Sequence, residues 1–505
     1  MSCAARLTAW VTSRARWSRK GEGMTFDCDV LIAGGGPTGV TLAILLARRG
    51  VKVIVAEKDA AVHPLPRAAH IDHEGMRILQ EAGVADAVFA TSRRAGRYDF
   101  LNARGEVLLR FEGADGMGPG GWPVANMIHQ PSVEAALRRS LDSQALAILQ
   151  SQWEVGAFEA DEAGVSAHVA TPDGPRTVRA RYLVGADGAR SPVRKAAGVT
   201  FEDLGFEEPW LVVDVLVDDA SRLPTANLQI CNPARPTTCV LMGEGRHRWE
   251  FMIRPGETAD QVSDDAFIET LLAPWNVKGA VRMERKAVYT FRARIASQWR
   301  KGRVLLAGDA AHQTPPFAGQ GLCSGLRDAA NLAWKLAATI RDQAPATLLD
   351  SYQTERAPHL RATIEMAIMM GRMVCTTSHW SAFLRDTKFR IGRALGKLPS
   401  GPPGYPPISA GMILAGSAAA GRYFPQPLSA DGLRLDDHLG TGPILMARDD
   451  LASPALAPFA AALEGWLDAQ GAEAVLVRPD RHVFGTGDPD RLRAAWQAAM
   501  GLPVT

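Results

Sequence analysis

Three glycines with the spacing of a phosphate-binding loop stand near the start of the chain. Gly34, Gly36 and Gly39 lie in GGGPTG, directly after the apolar run DVLIA at 29–33. Glycines at this spacing permit a tight turn, a close approach of a pyrophosphate to the backbone, and close packing of helix on strand. Glu57 lies near the spacing of about 20 residues at which a carboxylate accepts hydrogen bonds from an adenosine ribose. These residues predict dinucleotide binding.

The elements that must position these residues are also visible in the sequence. An apolar helix, VTLAILLARRG, follows the glycines, and a second strand, VKVIVAE, ends in Glu57. Strand, loop, helix and strand make a Rossmann unit, whose helix N-terminus favours phosphate charge. GMGPGG at 116–121 has the same glycine spacing, but no strand precedes it and no helix follows. We therefore predict a loop at 116–121 and a dinucleotide site at 34–39.

Two further stretches place an acid at the end of an apolar strand. YLVGADGARS at 182–191 ends in a turn that carries Asp187. RVLLAGD delivers Asp309 into GDAAHQTPPFAGQG at 308–321, whose prolines and glycines make a poor start for a helix. A helical pattern nevertheless follows at once, over residues 322–340. This order predicts an irregular backbone that presents a helix N-terminus to a ligand.

Together, the three stretches resemble the signatures of the class A FAD-dependent aromatic hydroxylases, the single-component flavoprotein monooxygenases related to p-hydroxybenzoate hydroxylase. They occur in the family's order, and the resemblance covers about residues 27–505. It implies that the cofactor is FAD and that Asp309 binds the ribityl chain. It also implies that Pro315 and Pro316 form a stiff wall beside the flavin ring, while Gly319 and Gly321 present backbone N–H groups to the pyrimidine edge.

The same resemblance implies a wider set of cofactor contacts. Arg67, in LPRAAHID, matches an arginine that the family places near the flavin, and Gln130 opens a helix that approaches the FAD. A surface or capping role is the alternative for both. The cofactor-binding residues that we predict are Gly34, Gly36, Pro37, Thr38, Gly39, Glu57, Lys58, Arg67, Gln130, Asp187, Gly188, Gly308, Asp309, Pro316, Gly319, Gly321 and Leu322.

The pattern between the second and third signatures changes to sheet. Residues 210–218 alternate, and 227–242 and 247–257 predict further strands with a proline-rich turn between them. The resemblance implies an antiparallel substrate domain here, built from about 95–125 and 200–295. ICNPARPTT followed by RWEFM resembles the branch of the family that contains 3-(3-hydroxyphenyl)propionate hydroxylase, whose substrates are phenols with a short acid side chain.

Several side chains in this region could act on such a substrate. Arg235 and Arg248 are candidates for a substrate carboxylate, since guanidinium offers a bidentate fork. The alternative is a solvated strand face. His312 and Tyr289 are candidates for lining the pocket or assisting phenol deprotonation, with a structural histidine and a core tyrosine as alternatives. Pro315 completes the predicted catalytic set.

The implied reaction is a hydroxylation with FAD, NAD(P)H and O2, and NADH is the favoured reductant. A flavin C4a-hydroperoxide would transfer oxygen to the ring position ortho to the phenol hydroxyl. The predicted substrate is 3-(3-hydroxyphenyl)propionate or 3-hydroxycinnamate, in aromatic catabolism. The main alternative is a bulkier polycyclic or antibiotic-type aromatic substrate.

Two other classes of protein are less compatible with the sequence. A flavin halogenase shares the fold, but its GWxWxIP signature is absent. A scaffold that has lost FAD would tend to lose the residues that touch the flavin, and here both Asp187-Gly188 and Gly308-Asp309 remain.

The composition of the chain limits the kinds of binding partner that we expect. A net charge of +2 gives no reason to expect nucleic acid or a membrane surface, and no apolar run is long enough to span a membrane. Six scattered cysteines without a CxxC pair argue against a disulfide framework or a metal site, and favour a reducing, cytoplasmic compartment. The first 26 residues are predicted to be a disordered tail or a spurious extension before a start at Met24, with a transit peptide as the alternative.

The predicted fold class is therefore α/β. A Rossmann-type FAD-binding domain over 27–400 contains the inserted antiparallel-sheet substrate domain. Residues 401–505 form a linker and a small C-terminal domain that resembles the thioredoxin-like domain of this branch, with a β-α-β pattern. It has no CxxC, so we expect a structural or oligomer-forming role there, and a homodimer is compatible with it.

Overall fold

The structure is a computed structural model that describes residues 26–501, except 244, 400, 402 and 403. The tail predicted for residues 1–26 therefore lies outside the described residues, apart from Phe26. The ring of Phe26 lies 4.9 Å from the guanidinium carbon of Arg181, beside the first strand. The described chain thus begins at the nucleotide-binding sheet.

Twenty-two strands lie within the described residues. They are β1 Cys28–Ala33, β2 Val53–Glu57, β3 His70–Asp72, β4 Arg93–Arg94, β5 Arg97–Asn102, β6 Val107–Glu112, β7 Ala125–Met127, β8 Ala147–Ser151, β9 Glu154–Ala160, β10 Val165–Ala170, β11 Arg176–Gly185, β12 Phe201–Val217, β13 Asn227–Cys231, β14 Thr237–Leu241, β15 Arg246–Met252, β16 Val281–Ala296, β17 Arg300–Lys301, β18 Val304–Leu306, β19 His312–Gln313, β20 Ile444–Ala447, β21 Ala474–Val477 and β22 Val483–Gly487.

Twelve α-helices lie within the same residues. They are α1 Pro37–Arg48, α2 His73–Glu81, α3 Ala85–Ala90, α4 Gln130–Asp142, α5 Pro192–Ala196, α6 Ala259–Val262, α7 Asp265–Leu272, α8 Gly321–Arg341, α9 Asp350–Val374, α10 His379–Ala394, α11 Ala460–Gln470 and α12 Pro489–Ala499.

The first sheet is the predicted nucleotide-binding sheet. Its parallel part has the order β18-β11-β1-β2-β8, and β17, β10 and β9 join it antiparallel. β1 and β2 are apolar and almost fully buried, as expected for parallel strands covered on both faces. Helix α1 packs against α8, so the helices that follow the first and third signatures are neighbours. The Rossmann unit is confirmed. Residues 116–121 form turns without a helix, as predicted, but a strand does precede them, since β6 ends at Glu112.

The second sheet is the inserted one, in the order β19-β16-β12-β15-β14-β13-β5-β6. All pairs are antiparallel except β13 with β5. One face packs under α7 through residues such as Val213, Trp249 and Ile268. The opposite face turns toward the proline-rich loop, since the rings of Trp210 and Phe317 lie 5.7 Å apart. The predicted antiparallel domain is confirmed, and the short strand β19 from the third signature joins its edge.

The C-terminal unit differs in detail from the prediction. β20, β21 and β22 form a three-stranded sheet in which both neighbouring pairs are antiparallel, so β20-α11-β21 is not a parallel β-α-β crossover. The thioredoxin-like assignment stays a prediction. This unit packs on α8, where the rings of Trp334 and Trp496 lie 5.8 Å apart. Buried Arg478 also pairs with Glu355 of α9 at 2.6 Å, which ties the unit to the cofactor domain.

No helix among the described residues is long and apolar enough to cross a membrane. Over the same part of the chain, no group of three His, Cys, Asp or Glu side chains is arranged to hold a metal ion.

Candidate active site

The first signature forms a tight backbone crossing. Gly34 has φ +104°, and a Cβ on it would lie 2.3 Å from the carbonyl oxygen of Ala186. A Cβ on Gly39 would lie 2.1 Å from the carbonyl oxygen of Gly34. By contrast, a Cβ on Gly36 would meet no atom within 4 Å. The first and third glycines are therefore required by packing, whereas Gly36 borders open space at the N-terminus of α1, where a pyrophosphate could approach.

Glu57 is buried beneath this loop. Its Oε2 accepts a hydrogen bond from the Gly35 N–H at 2.6 Å, and its Oε1 accepts one from the Asp59 N–H at 2.8 Å. Each carboxylate oxygen retains a further lone pair, so a ribose hydroxyl could still donate to Glu57. Lys58 is exposed next to it. The carboxylate thus holds the glycine loop in shape, and its ribose contact stays a prediction.

The second signature lies directly against the first. Asp187 Oδ2 accepts a hydrogen bond from the Val193 N–H at 3.0 Å, in the first turn of α5. Burial raises the pKa of Asp187. Gly188 has φ +82°, a conformation that glycine adopts without strain. Asp187 therefore organises the turn on which Gly34 packs.

The third signature contacts the first through Thr38. A Cβ on Gly308 would lie 2.9 Å from Thr38 Oγ1, and one on Gly325 would lie 2.3 Å from the same atom. Thr38 thus fills the space that a side chain on Gly308 or Gly325 would need. This contact joins the start of α1 to the start of α8, so the two helix N-termini lie close together.

Asp309 lies in this region, on the 3₁₀ turn Gly308–Ala310. The side chain of Asp309 is exposed, yet desolvation by the surrounding protein raises its pKa. The carboxylate is therefore surrounded by protein but still reachable from outside. The positive charges of His312 and Arg67 oppose this shift in the pKa of Asp309, so Arg67 lies within electrostatic range of the carboxylate. The tertiary structure therefore brings together two predicted cofactor residues that are far apart in sequence.

The turn that carries Asp309 is held from behind by a buried cluster. Asp328 Oδ2 accepts a hydrogen bond from the Gly308 N–H at 3.0 Å and lies 2.7 Å from His312 Nε2. Asp328 Oδ1 accepts one from Arg356 Nε at 3.0 Å. The side chain of His312 is fully buried within this cluster. The ring of His312 serves the Asp328 cluster, which favours the structural alternative, and a catalytic role for His312 stays a prediction.

The proline-rich loop then leads into α8. Pro315 is buried and Pro316 is half-buried at the start of the 3₁₀ turn Pro316–Ala318. Gly319 has φ +64°, and its carbonyl oxygen lies 3.2 Å from His70 Nδ1. A Cβ on Gly321 would meet no atom within 4 Å, so this helix start borders open space. Half-buried Leu322 follows it.

Gln320, which sequence reasoning missed, fixes this helix start. Gln320 is 1% exposed, and its Nε2 donates to the Tyr405 hydroxyl at 2.7 Å. Its Oε1 accepts from Arg327 at 3.0 Å, and Arg327 also pairs with Asp72 at 2.6 Å. No spacing rule links Tyr405 to Gln320 across 85 residues, so the sequence carried no signal for this contact.

Arg67 lies on a loop that α4 and β15 hold through Gln130 and Arg248. The Ala68 N–H donates to Gln130 Oε1 at 2.6 Å. Arg248 donates to the carbonyl oxygens of Arg67 at 2.7 Å and Pro66 at 3.0 Å. The Arg67 side chain itself is exposed. Gln130 and Arg248 therefore act as positioning residues for the segment that presents Arg67.

The two predicted substrate arginines already have carboxylate partners within the chain. Arg248 pairs with buried Asp214 at 2.5 Å, and Arg235 forms a two-pronged pair with Glu257, the shorter contact being 2.6 Å. These contacts do not support the prediction that either guanidinium clamps a substrate carboxylate. The sequence indicates that an arginine can bind a carboxylate, but it does not show which carboxylate. The partners Asp214 and Glu257 lie on another strand and on a turn.

Tyr289 lies on the same sheet face as Arg248. It is opposite Trp210 in the register, 37% exposed, with the guanidinium carbon of Arg285 5.0 Å from its ring centre. Arg285 also donates to the Pro66 carbonyl oxygen. Tyr289 therefore stands beside the Arg67 loop, and its role at the site stays a prediction.

Fold and site together define a flavoprotein class: a Rossmann unit in which Thr38 joins the starts of α1 and α8, and an inserted sheet whose Trp210 meets Phe317 of the proline-rich loop. Residues 27–367 match the family described as FAD binding domain. The chain belongs to this family and, within it, to the FAD-dependent aromatic monooxygenases, as its similarity to the following proteins shows.

A probable NADH-specific resorcinol 4-hydroxylase of Rhodococcus jostii is 35% identical over 90% of this chain and 91% of that protein. A 3-(3-hydroxy-phenyl)propionate/3-hydroxycinnamic acid hydroxylase of Mycolicibacterium smegmatis is 36% identical over 92% of this chain and 84% of that protein. The crystal structure of aklavinone-11 hydroxylase, in a ternary complex with FAD and aklavinone, aligns with a TM-score of 0.76 at 26% identity. The alignment covers 95% of this chain and 100% of that one.

The residues present fit FAD. Gly36 and Gly321 leave open space at two helix N-termini, which suits a pyrophosphate and the negative charge of a reduced flavin. Asp309 offers a carboxylate in the recess between them, and Arg67 offers a nearby cation. When bound, FAD supplies hydride acceptance and the transfer of an oxygen atom from O2 to an aromatic ring.

Asp309→Ala should weaken FAD retention at least tenfold, because a carboxylate acceptor in the recess is lost, a change of about 1.4 kcal/mol. The flavin-to-protein absorbance ratio after gel filtration measures it. Asp468→Ala, at an exposed carboxylate of the C-terminal unit, is the matched control and should retain all its FAD. Full occupancy in Asp309→Ala would remove Asp309 from the cofactor site.

Proposed function

We propose that this chain hydroxylates a small phenol carrying a meta substituent, with NADH as the reductant. 3-(3-Hydroxyphenyl)propionate and 3-hydroxycinnamate are the favoured substrates. The observation that carries the proposal is the polar patch on the inner sheet face: Tyr98, Gln229, Thr238 and Glu250 lie beside the aromatic wall next to the proline-rich loop. Such a surface suits an aromatic ring with a hydroxyl group.

The similar hydroxylases support the same substrate class. One is named for resorcinol and NADH, and another for 3-(3-hydroxy-phenyl)propionate and 3-hydroxycinnamic acid. The substrates in both names are phenols with a second group in the meta position. The resemblance to aklavinone-11 hydroxylase supports the bulkier polycyclic alternative, at lower identity.

This chain would contribute orientation and water exclusion to the reaction. Buried Trp210 and Phe317 and half-buried Phe291 form an aromatic wall, with ring centres 5.7 to 6.0 Å apart. A dry wall beside the flavin recess strengthens the electrostatic interactions inside it and limits side reactions with water. The N-terminus of α8 would stabilise negative charge on the reduced cofactor.

Substrate turnover gives the direct test. The FAD-loaded protein would be mixed with NADH and O2, with 3-(3-hydroxyphenyl)propionate, with resorcinol or with no phenol. We expect NADH oxidation to rise with a phenol, and mass spectrometry to find a product with one added oxygen atom. FAD binding without stimulation by either phenol would contradict the substrate class and turn attention to polycyclic phenols.

Arg248→Ala should lower kcat/KM about tenfold for 3-(3-hydroxyphenyl)propionate and for resorcinol alike, because the loop that presents Arg67 loses two hydrogen bonds. Arg235→Ala should leave both values within twofold, because its partner is Glu257. Steady-state kinetics with the two phenols measures this. A rise in KM confined to the acid-bearing phenol in either variant would restore the carboxylate-clamp prediction.

We also propose a cytoplasmic homodimer. The five cysteines of the described chain are all free, in keeping with a reducing compartment. Helix α10 leaves Trp380, Phe383, Leu384 and Ile391 exposed on its surface, and an apolar patch of this kind supports association of two copies. Light scattering of the purified protein measures its mass, and a monomer at micromolar concentration would contradict the dimer.

A further inference from the structure

Glu250 is a buried carboxylate on the inner face of the substrate sheet. It is 6% exposed and receives no hydrogen bond within the part of the chain that the structure describes. Its nearest cation is Arg248, whose guanidinium nitrogen lies 3.7 Å from Glu250 Oε1. A buried carboxylate is normally paired or hydrogen-bonded, because desolvation of the charge is costly. An ionised Glu250 therefore lacks a close donor.

The position of Glu250 along β15 shows what it faces. Side chains two residues apart lie on the same face of a strand. Arg248, on one side of Glu250, contacts the Arg67 loop, and Met252, on the other side, is opposite Trp210, whose ring meets Phe317. Glu250 thus points into the space between the Arg67 loop and the proline-rich loop, both of which belong to the flavin site.

Its polar neighbours on this face are already engaged with one another. Thr238, directly opposite Glu250 in the register, donates to Gln229 at 2.7 Å, and Gln229 donates to the Tyr98 hydroxyl at 2.5 Å. Tyr98 in turn donates to the Phe317 carbonyl oxygen at 3.3 Å. The chain of hydrogen bonds ends at this backbone carbonyl. Thr238, Gln229 and Tyr98 therefore bind one another and the backbone, and none of them is a free carboxylate that could act as a base.

Asp214, the second carboxylate beside Arg248 on this face, is also engaged. Its two oxygens lie 2.5 Å and 3.4 Å from the guanidinium groups of Arg248 and Arg285. Of the two carboxylates beside Arg248, Glu250 is thus the one whose oxygens remain available to a ligand hydroxyl group. Glu208 is on the same face, but it lies four residues along β12 from Val212, the residue opposite Glu250.

We propose that Glu250 accepts the hydrogen bond of the substrate's phenolic hydroxyl and removes its proton for hydroxylation. This inference rests on the proposed function and names the base for that reaction. The phenolic O–H bond breaks, the proton moves to a Glu250 oxygen, and the electron pair stays on the phenolate. The new C–O bond forms as the O–O bond of the oxygen derived from O2 and NADH breaks. The ring proton lost from that carbon restores the hydroxyl, and the proton on Glu250 passes through solvent to the second oxygen atom, which leaves as water.

The electrostatics around Glu250 suit this exchange near neutral pH. Burial raises the pKa of Glu250 to about 7, and Asp214 adds to the rise while Arg248 opposes it. A base with a pKa near the working pH is the most effective. The proline-rich loop brings no titratable side chain over 315–321. The titratable and charged groups on the other elements around Glu250 are Tyr98 on β5, Asp214 on β12, Arg248 on β15, Arg285 on β16 and Arg67 on its loop.

The test replaces Glu250 by the isosteric amide in the FAD-loaded protein. Glu250→Gln should bind 3-(3-hydroxyphenyl)propionate within threefold of the wild-type Kd, because the amide oxygen still accepts the hydroxyl. Its kcat for hydroxylated product should fall about 100-fold at pH 7. NADH consumption should continue, with hydrogen peroxide released in place of product. The wild-type activity should rise through an apparent pKa near 7 that the variant lacks.

A chemical rescue separates proton removal from a structural effect. A ring-fluorinated analogue, whose hydroxyl ionises at lower pH, should restore product formation by Glu250→Gln at least tenfold relative to the parent substrate. Glu207→Gln, at a half-exposed carboxylate on β12 of the same sheet, is the control and should retain wild-type kinetics with both substrates.

Thermal unfolding gives a readout that is independent of turnover. A carboxylate whose pKa rises on folding destabilises the folded protein at pH values above the folded-state pKa. It has no such effect at pH values below its pKa in the unfolded chain, which is about 4.3. Glu250→Gln should therefore raise Tm at pH 8 relative to wild type, with a smaller difference at pH 4.5. Glu207→Gln should show no such pH-dependent gain.

Three outcomes decide the proposal. Wild-type product formation and an unchanged pH profile in Glu250→Gln would overturn it. Loss of product that the fluorinated phenol does not rescue would overturn the base role in favour of positioning. If the wild-type protein holds FAD but hydroxylates no phenol, the proposed function fails instead, and the base proposal falls with it.

Discussion

Gly34→Ala should yield a colourless protein that does not hold FAD. The new Cβ would lie 2.3 Å from the Ala186 carbonyl oxygen and 2.9 Å from the Asp187 Cα, and neither backbone atom can rotate away as a side chain could. The methyl group would force the first and second signatures apart, which opens the loop that binds the pyrophosphate. We expect a loss of more than about 4 kcal/mol in the free energy of unfolding, measured by urea denaturation.

Gly105→Ala is the matched control, because Gly105 shares the positive φ of Gly34 without its contacts. Gly105 has φ +78° in the β5–β6 turn, and a Cβ there would meet no atom within 4 Å. Backbone strain alone costs about 1–2 kcal/mol. Gly105→Ala should therefore keep full flavin absorbance with only that loss. Equal FAD content in the two variants would show that the Gly34–Ala186 contact is not required for cofactor binding.

Asp328→Ala should cost about 3–5 kcal/mol in the free energy of unfolding, because it leaves the buried Arg356 guanidinium without its carboxylate. The Gly308 N–H and His312 lose their acceptor in the same step, so the turn that carries Asp309 is released. We therefore expect FAD loss to accompany the loss of stability. Urea unfolding and flavin absorbance measure the two effects on one preparation.

Asp265→Ala provides the comparison at an exposed ion pair. Asp265 is 79% exposed and lies 2.6 Å from Lys286, so its removal should cost less than about 1 kcal/mol. A similar small loss in Asp328→Ala would contradict the bracing role of the cluster.

The stabilising effect of Asp328 should also depend on pH. Burial alone would raise the pKa of Asp328, but the charges of His312 and Arg356 hold it below its ordinary value. A carboxylate with a lowered folded pKa stabilises the protein above its unfolded pKa of about 3.9, and this contribution is lost as the pH falls through the folded pKa. The stability gap between wild type and Asp328→Ala should therefore be full at pH 6 and should narrow below about pH 4.

Local patterns in the sequence determined the cofactor framework. The strand–glycine–helix–strand run at 28–57 and the acids that end later strands predicted the Rossmann unit and the order of the three signatures. Each of these patterns concerns residues close together in the chain, where glycine conformation, helix start and apolar periodicity act directly on the backbone. The alternation at 210–218 predicted the inserted sheet for the same reason.

The tertiary structure alone decided the roles of single polar side chains. His312, Arg235 and Arg248 have residue types suited to catalysis or carboxylate binding, yet Asp328, Glu257 and Asp214 already engage them. Glu250 drew no attention in the sequence, yet it is a buried carboxylate on the inner sheet face that receives no hydrogen bond from the described residues. Which polar group is satisfied within the protein, and which remains for a ligand, depends on partners that folding brings from distant strands and helices, because hydrogen bonding and desolvation depend on distances in space.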